Sequence, residues 1–299
     1  MNEIWPKQKS TCFKLKNLKY RNCESVLSTL FPGFIPVVVS SARSGLSLIA
    51  RIELTTEDSI SIFPYASQCV VKAFTSQGVS VYTNLNFESQ IVLHQWGINS
   101  SDCNSVPFIE DVCDTFIKKG SNLLISGAKY EIWSLPKILG TRFGAVIWTQ
   151  DNLIANNLRS QIKQNLGKTT IKYLARRLSQ RSKRIYEIWE KMEFRDPAIN
   201  KIQNISLLEI IIRWQEIYEN RETAIKQLIG NQNEDIGKIS MPTIPKNFIN
   251  ARTLNGLPSV LEVESIESEK NRIYIKLHQT IFGSRPILKT VFPYLREIE

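Results

Sequence analysis

Through residue 150 the chain alternates strand-length apolar runs with amphipathic helical ones, and that alternation restricts it to a layered α/β fold. "FIPVVV" (34–39) reads as a buried strand, "SSARSG" (40–45) as a Ser-rich turn, and "LSLIARI" (46–52) as a helix with Leu46, Ile49 and Ala50 on one face. A strand at "SISIF" (59–63), a helix at "CVVKAFTSQ" (69–77) stopped by Gly78, and a strand at "VSVYT" (79–83) follow. Further strands are expected in "SQIVLHQWG" (89–97), "VPFIEDVC" (106–113), "NLLISG" (122–127), "YEIWSL" (130–135) and "FGAVIW" (143–148). Strands this uniformly apolar belong to a mostly parallel mixed sheet covered on both faces.

Beyond residue 150 the pattern changes. A long helical stretch is expected over 151–192, and a second helix at Ser206, with Ser206 and Glu209 as a capping box. Residues 229–258, rich in Gly, Pro and Asn, read as a surface connection. "SVLEVESI" (259–266) and "RIYIKLH" (272–278) alternate apolar and polar residues and are suited to pair across "ESEKN". The expected division is a large α/β domain over 1–160, with an N-terminal segment 1–30, and a smaller α+β domain over 161–299 entered through a long connecting helix. A chain of 299 residues accommodates both.

Composition excludes several classes. No apolar run reaches the roughly 18–20 residues of a membrane span, and the first 20 residues hold no signal-peptide core. The five cysteines, Cys12, Cys23, Cys69, Cys103 and Cys113, form no CxxC pair, which points to reduced thiols in a cytoplasm and away from a metal site. The net charge of +10 is uneven, with no carboxylate from Asn152 to Arg184. Such a stretch suits nucleic acid, an anionic membrane face or a phosphorylated small molecule. It equally suits a solvated helix face, since Ile171, Leu174, Leu178, Ile185 and Ile188 keep a helical spacing beneath the charges.

Three segments carry potential chemistry. Ser41, Ser44 and Gly45 lie where a strand turns into a helix, so the turn is either a phosphate cradle, with Arg43 adding charge, or ordinary helix capping. Glu110 and Asp111 end a strand, where open α/β sheets bind ligands; a carboxylate there holds a proton on a heterocyclic nitrogen or caps a helix. In "SLPK", Lys137 is either a surface-turn residue or an amine desolvated by Trp133 and Leu135 and able to form a Schiff base. S-x-x-K also marks penicillin-binding enzymes, but their K-T-G and S-D-N elements are absent.

Taken in order, these segments resemble the fold-type I enzymes that use pyridoxal 5'-phosphate (PLP), nearest the DegT/DnrJ/StrS nucleotide-sugar aminotransferases. "VVVSSARSGLSLIARI" is similar to that family's first strand, phosphate turn and helix, and "ISIFPYASQCVVKAF" to its V-I-x-P-x-Y-T segment. "IVLHQWGI" is similar to I-x-P-V-H-L-Y-G, "FIEDVCDTF" to V-I-E-D-A-A-Q-A, and residues 126–161 to the run through the cofactor-bonding lysine. The resemblance implies that Lys137 bonds the cofactor and moves the substrate proton, while Asp111 keeps the pyridine nitrogen protonated. It also implies that Ser134 and the backbone at Ala42 and Arg43 grip the phosphate, that Gln68 lies against the ring, and that Asp114 sits near the ring hydroxyl. The chain departs from the family at Gln68, where an aromatic ring or histidine is usual, and at Asp114, a carboxylate in place of Gln or His. Only Gly144 remains of a glycine pair, and the connection after "VYTNLNFES" is short.

The implied function is amination of a keto-sugar nucleotide for polysaccharide or glycan synthesis, with glutamate as donor, by a cytoplasmic homodimer. The basic residues after 158 would meet the sugar's diphosphate. His94 is read as a strand-end residue near the cleft, structural or catalytic, and His278 with Arg285 as surface residues or an anion site. Two rivals stand beside this: an inactive relative of the PLP enzymes acting as a binding protein, and a basic nucleic-acid-binding protein whose affinity falls steeply with salt.

Overall fold

Strands whose side chains are apolar on both faces stay dry only between two helical layers. The structure, a computed structural model, describes residues 22–62, 66–83, 90–93, 106–113, 115, 117–163, 172, 175, 182–229, 243–245, 260–262 and 272–275. In chain order the elements are α1 (Cys23–Leu30), β1 (Ile35–Val39), α2 (Ala42–Glu53), β2 (Ser59–Ile62), α3 (Gln68–Thr75), β3 (Ser80–Thr83), β4 (Ile91–Leu93) and β5 (Ile109–Asp111). There follow β6 (Tyr130–Ser134), α4 (Leu135–Ile138), β7 (Ala145–Thr149), α5 (Asn152–Lys163), α6 (Lys183–Arg195), α7 (Lys201–Ile211) and α8 (Trp214–Ile229).

The seven strands lie in the order β1-β7-β6-β5-β4-β2-β3. Four neighbouring pairs are parallel, and β7 alone runs against both its neighbours. The mostly parallel mixed sheet expected from the apolar runs is therefore present. Because β7 is reversed, β1 points the same way as β6, so the C-terminal ends of β1, β5 and β6 share one edge with the start of β7. A small antiparallel sheet of β8 (Thr243–Pro245), β10 (Arg272–Ile275) and β9 (Val260–Glu262) includes the expected pairing of the last two strands.

Alternate residues of each strand feed two cores. Val37, Val39, Ile109, Tyr130, Ile132, Ala145 and Ile147 pack with α2, α3 and α5. Val38, Trp133, Val146 and Trp148 pack with α1, α7 and α8 around Phe31 and Trp214. α7 and α8, although they lie after residue 161, thus build one face of this sheet. The outer edge of β1 is protected by side chains: Glu24 accepts the Val38 amide at 3.0 Å, and Arg159 donates to the Pro36 carbonyl at 3.1 Å.

Four local expectations are corrected. "NLLISG" is not a strand: its amides go to buried acids instead of a ladder, Leu124 to Glu131 at 2.5 Å and Ser126 to Glu110 at 3.3 Å, with Leu124 at φ 55°. Residues 151–192 are not one helix, because Ser182, in extended backbone, is the N-cap from which α6 starts afresh. The capping box of α7 is Asn200 with Gln203, and Ser206 is inside the helix; N-x-x-Q is chemically the same reciprocal cap as S-x-x-E. Ile188, assigned to an apolar stripe, is 51% exposed.

Glu131 is a buried acid beside Glu110 on the neighbouring strand. Burial pushes its carboxyl up to about 8; the Leu124 amide pulls the other way, Glu110 adds to the rise and the Trp133 indole opposes it. The folded chain prefers the neutral acid, so this contribution to stability is complete below the ordinary value of 4.5 and is lost as pH rises towards 8. Glu131→Gln is expected to flatten the decline in stability across that window, whatever its fixed cost in lost acceptor capacity. Denaturant unfolding at several pH values checks this, and an unchanged slope refutes it.

Candidate active site

The shared sheet edge is knit by backbone hydrogen bonds that bring distant turns together. The Gly144 amide donates to the Ser40 carbonyl at 2.7 Å, and the Leu135 amide donates to the Gly144 carbonyl at 3.1 Å. The turn after β1 is thereby held beside the turn after β6. Gly144 has φ 100°, and a Cβ there would lie 2.9 Å from Leu207, so only glycine makes this link without strain. On the other side, the Val112 amide donates to the Ile132 carbonyl at 3.0 Å, holding the end of β5 against β6. Asp111, Ser134 and the Ser40–Ser44 turn are therefore neighbours along one edge.

Asp111 is the last residue of β5 and is buried; its Oδ1 accepts the Cys113 amide at 3.0 Å, closing a local turn. Glu110 points to the opposite face, where Ser126 Oγ donates to it at 2.7 Å. Ser134 ends β6, buried, on the same face as Ile132 and opposite to Trp133. Lys137 is half-buried on the single turn of α4, three residues on. Trp133 and Leu135, expected to desolvate it, belong to the core on the other face.

Ala42 and Arg43 open α2 behind the N-cap Ser41. The Ser41 amide bonds Ser44 Oγ and the Ser44 amide bonds Ser41 Oγ, which leaves the Ala42 and Arg43 amides as first-turn donors that the capping box does not take. Gly45 lets this helix end lie low on the sheet, since a Cβ there would meet Ile132 at 2.7 Å. The Arg43 guanidinium leaves the turn for α6, over the rings of Trp189 (5.2 Å) and Tyr186 (5.9 Å) and 3.9 Å from Glu190. Gln68 is the first residue of α3 and is exposed. Asp114, His94, His278 and Arg285 lie outside the described residues.

The C-terminal end of α6 sits on the Ser-rich turn, which the sequence reading missed. The Pro197 carbonyl accepts the Ser40 amide at 2.9 Å and the Phe194 carbonyl accepts Ser47 Oγ at 2.8 Å. Glu193 accepts a hydrogen bond from Ser41 Oγ. Lys172, 2% exposed, donates to Ser40 Oγ at 2.9 Å and to the Asp196 and Ala198 carbonyls, 3.7 Å from Glu193. The one hint in the sequence was that Lys172 lies in the carboxylate-free stretch; nothing distinguished Glu193. Among the described residues no group of acids, cysteines and histidines could hold a metal ion, and no helix is long and apolar enough to cross a membrane.

Comparison with known structures finds this fold elsewhere. "Putative sugar aminotransferase Spr1654" of Streptococcus pneumoniae, in its PMP form, superposes with TM-score 0.58 at 11% identity over 92% of this chain and 89% of its own. PseC of Helicobacter pylori, an aminotransferase involved in the biosynthesis of pseudoaminic acid, gives 0.55 at 12% identity over 92% and 90%. A DegT DnrJ EryC1 StrS aminotransferase of Brucella abortus gives 0.54 at 14% over 92% and 88%. At such identities the likeness is one of fold. A search of curated proteins returned no match. A family model described as "Putative PLP-dependent aminotransferase" matches residues 23–247. That span runs from α1 through the whole seven-stranded sheet to α8, and the chain accordingly belongs to this family of PLP-dependent aminotransferases, whose cofactor is pyridoxal 5'-phosphate.

Proposed function

We propose that the protein is a working PLP-dependent aminotransferase that transfers an amino group to a keto-sugar nucleotide, with Lys137 and Asp111 as its central residues. The observation that carries this reading is the meeting of the Asp111, Ser134–Lys137 and Ser40–Ser44 segments on one sheet edge. The donor set fits the cofactor: a buried acid, a lysine, and hydroxyls at the start of α2. That Ser41 already takes a carboxylate, that of Glu193, supports the fit, because the turn accepts an anion.

PLP, when bound, supplies a conjugated ring that takes up the electron pair released at the substrate carbon. Asp111 is the residue for the ring nitrogen, where its carboxylate holds the proton through a charge-assisted hydrogen bond. Ser134 Oγ and the amides of Ala42 and Arg43 are suited to the phosphate, and Gln68 to the ring face. Lys137 Nζ would hold the cofactor at rest and would carry the substrate proton during turnover. The Streptococcus pneumoniae neighbour, described as a sugar aminotransferase, supports the sugar substrate. Cytoplasmic location, homodimerisation and a role in glycan synthesis belong to the same reading.

PLP added to the purified protein is expected to give a visible absorbance band, and L-glutamate should change that band while releasing a 2-oxo acid. Asp111→Asn should keep cofactor binding but slow this half-reaction by roughly 10²–10⁴-fold. No band in the wild-type protein sinks the proposal; a band without amino transfer leaves the inactive-relative reading standing.

A further inference from the structure

Lys172 and Glu193 form a buried ion pair pressed against the turn that the proposed function gives to the cofactor's phosphate. Glu193 Oε1 lies 3.7 Å from Lys172 Nζ, with both side chains almost fully buried. The other carboxylate oxygen of Glu193 accepts from Ser41 Oγ, the N-cap hydroxyl of α2, and Lys172 donates to Ser40 Oγ at 2.9 Å. The pair therefore grips both serines of one turn, from the side on which α6 ends. Placing two charges in so dry a site costs several kcal/mol per ion unless they satisfy each other and their remaining hydrogen bonds. Lys172 does so through the Asp196 and Ala198 carbonyls.

We propose that Glu193 is an internal anion that competes with phosphate for the α2 turn, and that Lys172 is the buried counter-charge shared by the two. The proposal rests on the cofactor reading for the identity of the phosphate, but not for its own chemistry. The first-turn amides of Ala42 and Arg43 lie one and two residues after Ser41, whose hydroxyl holds Glu193. Two anions that close in a low-dielectric site repel strongly. Phosphate on those amides therefore displaces the Glu193 carboxylate from Ser41, and the end of α6 moves with it, while Lys172 stays on Ser40 and pairs with the phosphate. Phosphate affinity is thereby set by a residue outside the phosphate turn. Opening of α6 is coupled to loading, because the Ser40 amide is bonded to Pro197 just beyond Glu193.

Glu193→Gln removes the competing charge and keeps the shape. It is expected to bind PLP, and to be stabilised by inorganic phosphate, roughly 10–100-fold more tightly than the wild-type protein, with affinity for phosphate-free pyridoxal unchanged. Adding Lys172→Met to that variant should abolish the gain. Inorganic phosphate, read by the denaturant midpoint, tests the pair even if no cofactor band ever forms, so the two proposals fail separately. Equal phosphate affinity in wild type and Glu193→Gln overturns the inference. In the unmutated protein, hydrogen exchange gives an independent reading. Added phosphate should slow the amides of 41–44 and speed those of 193–197, and unchanged or slower exchange in the second segment also overturns it.

Discussion

Trp133→Ala is expected to cost about 3–5 kcal/mol of folding stability, enough to leave a domain of ordinary stability partly unfolded at room temperature. Trp133 lies at the middle of β6 with no exposed surface. Its ring meets Phe31 edge-on at 5.0 Å and is tilted against Trp148 at 4.9 Å and Trp214 at 5.4 Å. These contacts join the sheet to α1 and α8, so truncation opens a cavity where three layers of structure converge. A second cost is polar. The indole Nε1–H donates to Glu131 Oε1 at 2.5 Å, and its loss removes one of the donors holding a buried acid. Trp133→Phe fills most of the volume but lacks that donor, so its penalty isolates the polar part. Denaturant unfolding and near-ultraviolet circular dichroism measure both variants, and a loss below about 1 kcal/mol for the alanine change would contradict this account.

The sheet was legible in the sequence because burial on both faces forces apolar runs, and β1, β6 and β7, five residues each, are apolar but for Glu131, Ser134 and Thr149. "NLLISG" misleads for a related reason. It is apolar because it covers the sheet, but its amides are taken by Glu131 and Glu110, whose burial no local pattern announces. Asp111, Ser134 and Lys137 were visible because each ends a strand or lies within three residues of its end, where topology alone assigns an edge. Glu193 and Lys172 were not. They are more than 130 residues from the serines they touch, and those contacts exist only once the chain after residue 163 has folded back over α2. Trp133 shows the limit within a single strand. Proximity along "WSLPK" suggested that it shields Lys137, but alternation along β6 turns it to the opposite core.

Lys137→Ala is expected to abolish the cofactor's lysine-dependent absorbance and lower the turnover number by at least about 10²–10⁴-fold, the range lost when a positioned proton-transfer group is removed. Among the described residues two amines lie near this sheet edge, Lys137 and Lys172, and their surroundings differ. Lys172 spends its hydrogens on Ser40, Asp196 and Ala198 and lies 3.7 Å from a Glu193 carboxylate oxygen, so its amine is tied down on every side. Lys137 is on α4, a single turn pinned at its start by the Leu135–Gly144 hydrogen bond and closed by the Leu139 amide on the Leu135 carbonyl. That turn holds its backbone fixed beside the sheet edge while the four-carbon side chain is half-buried. Borohydride reduction of the loaded protein, followed by peptide mass spectrometry, should find the cofactor on Lys137 in the wild-type chain and on no lysine in the variant. Small primary amines should restore part of the variant's turnover by entering the space left by the side chain. A label on Lys172, or a variant with undiminished turnover, would move the chemistry to the other amine and make the Glu193 pair, rather than the α4 turn, the centre of the site.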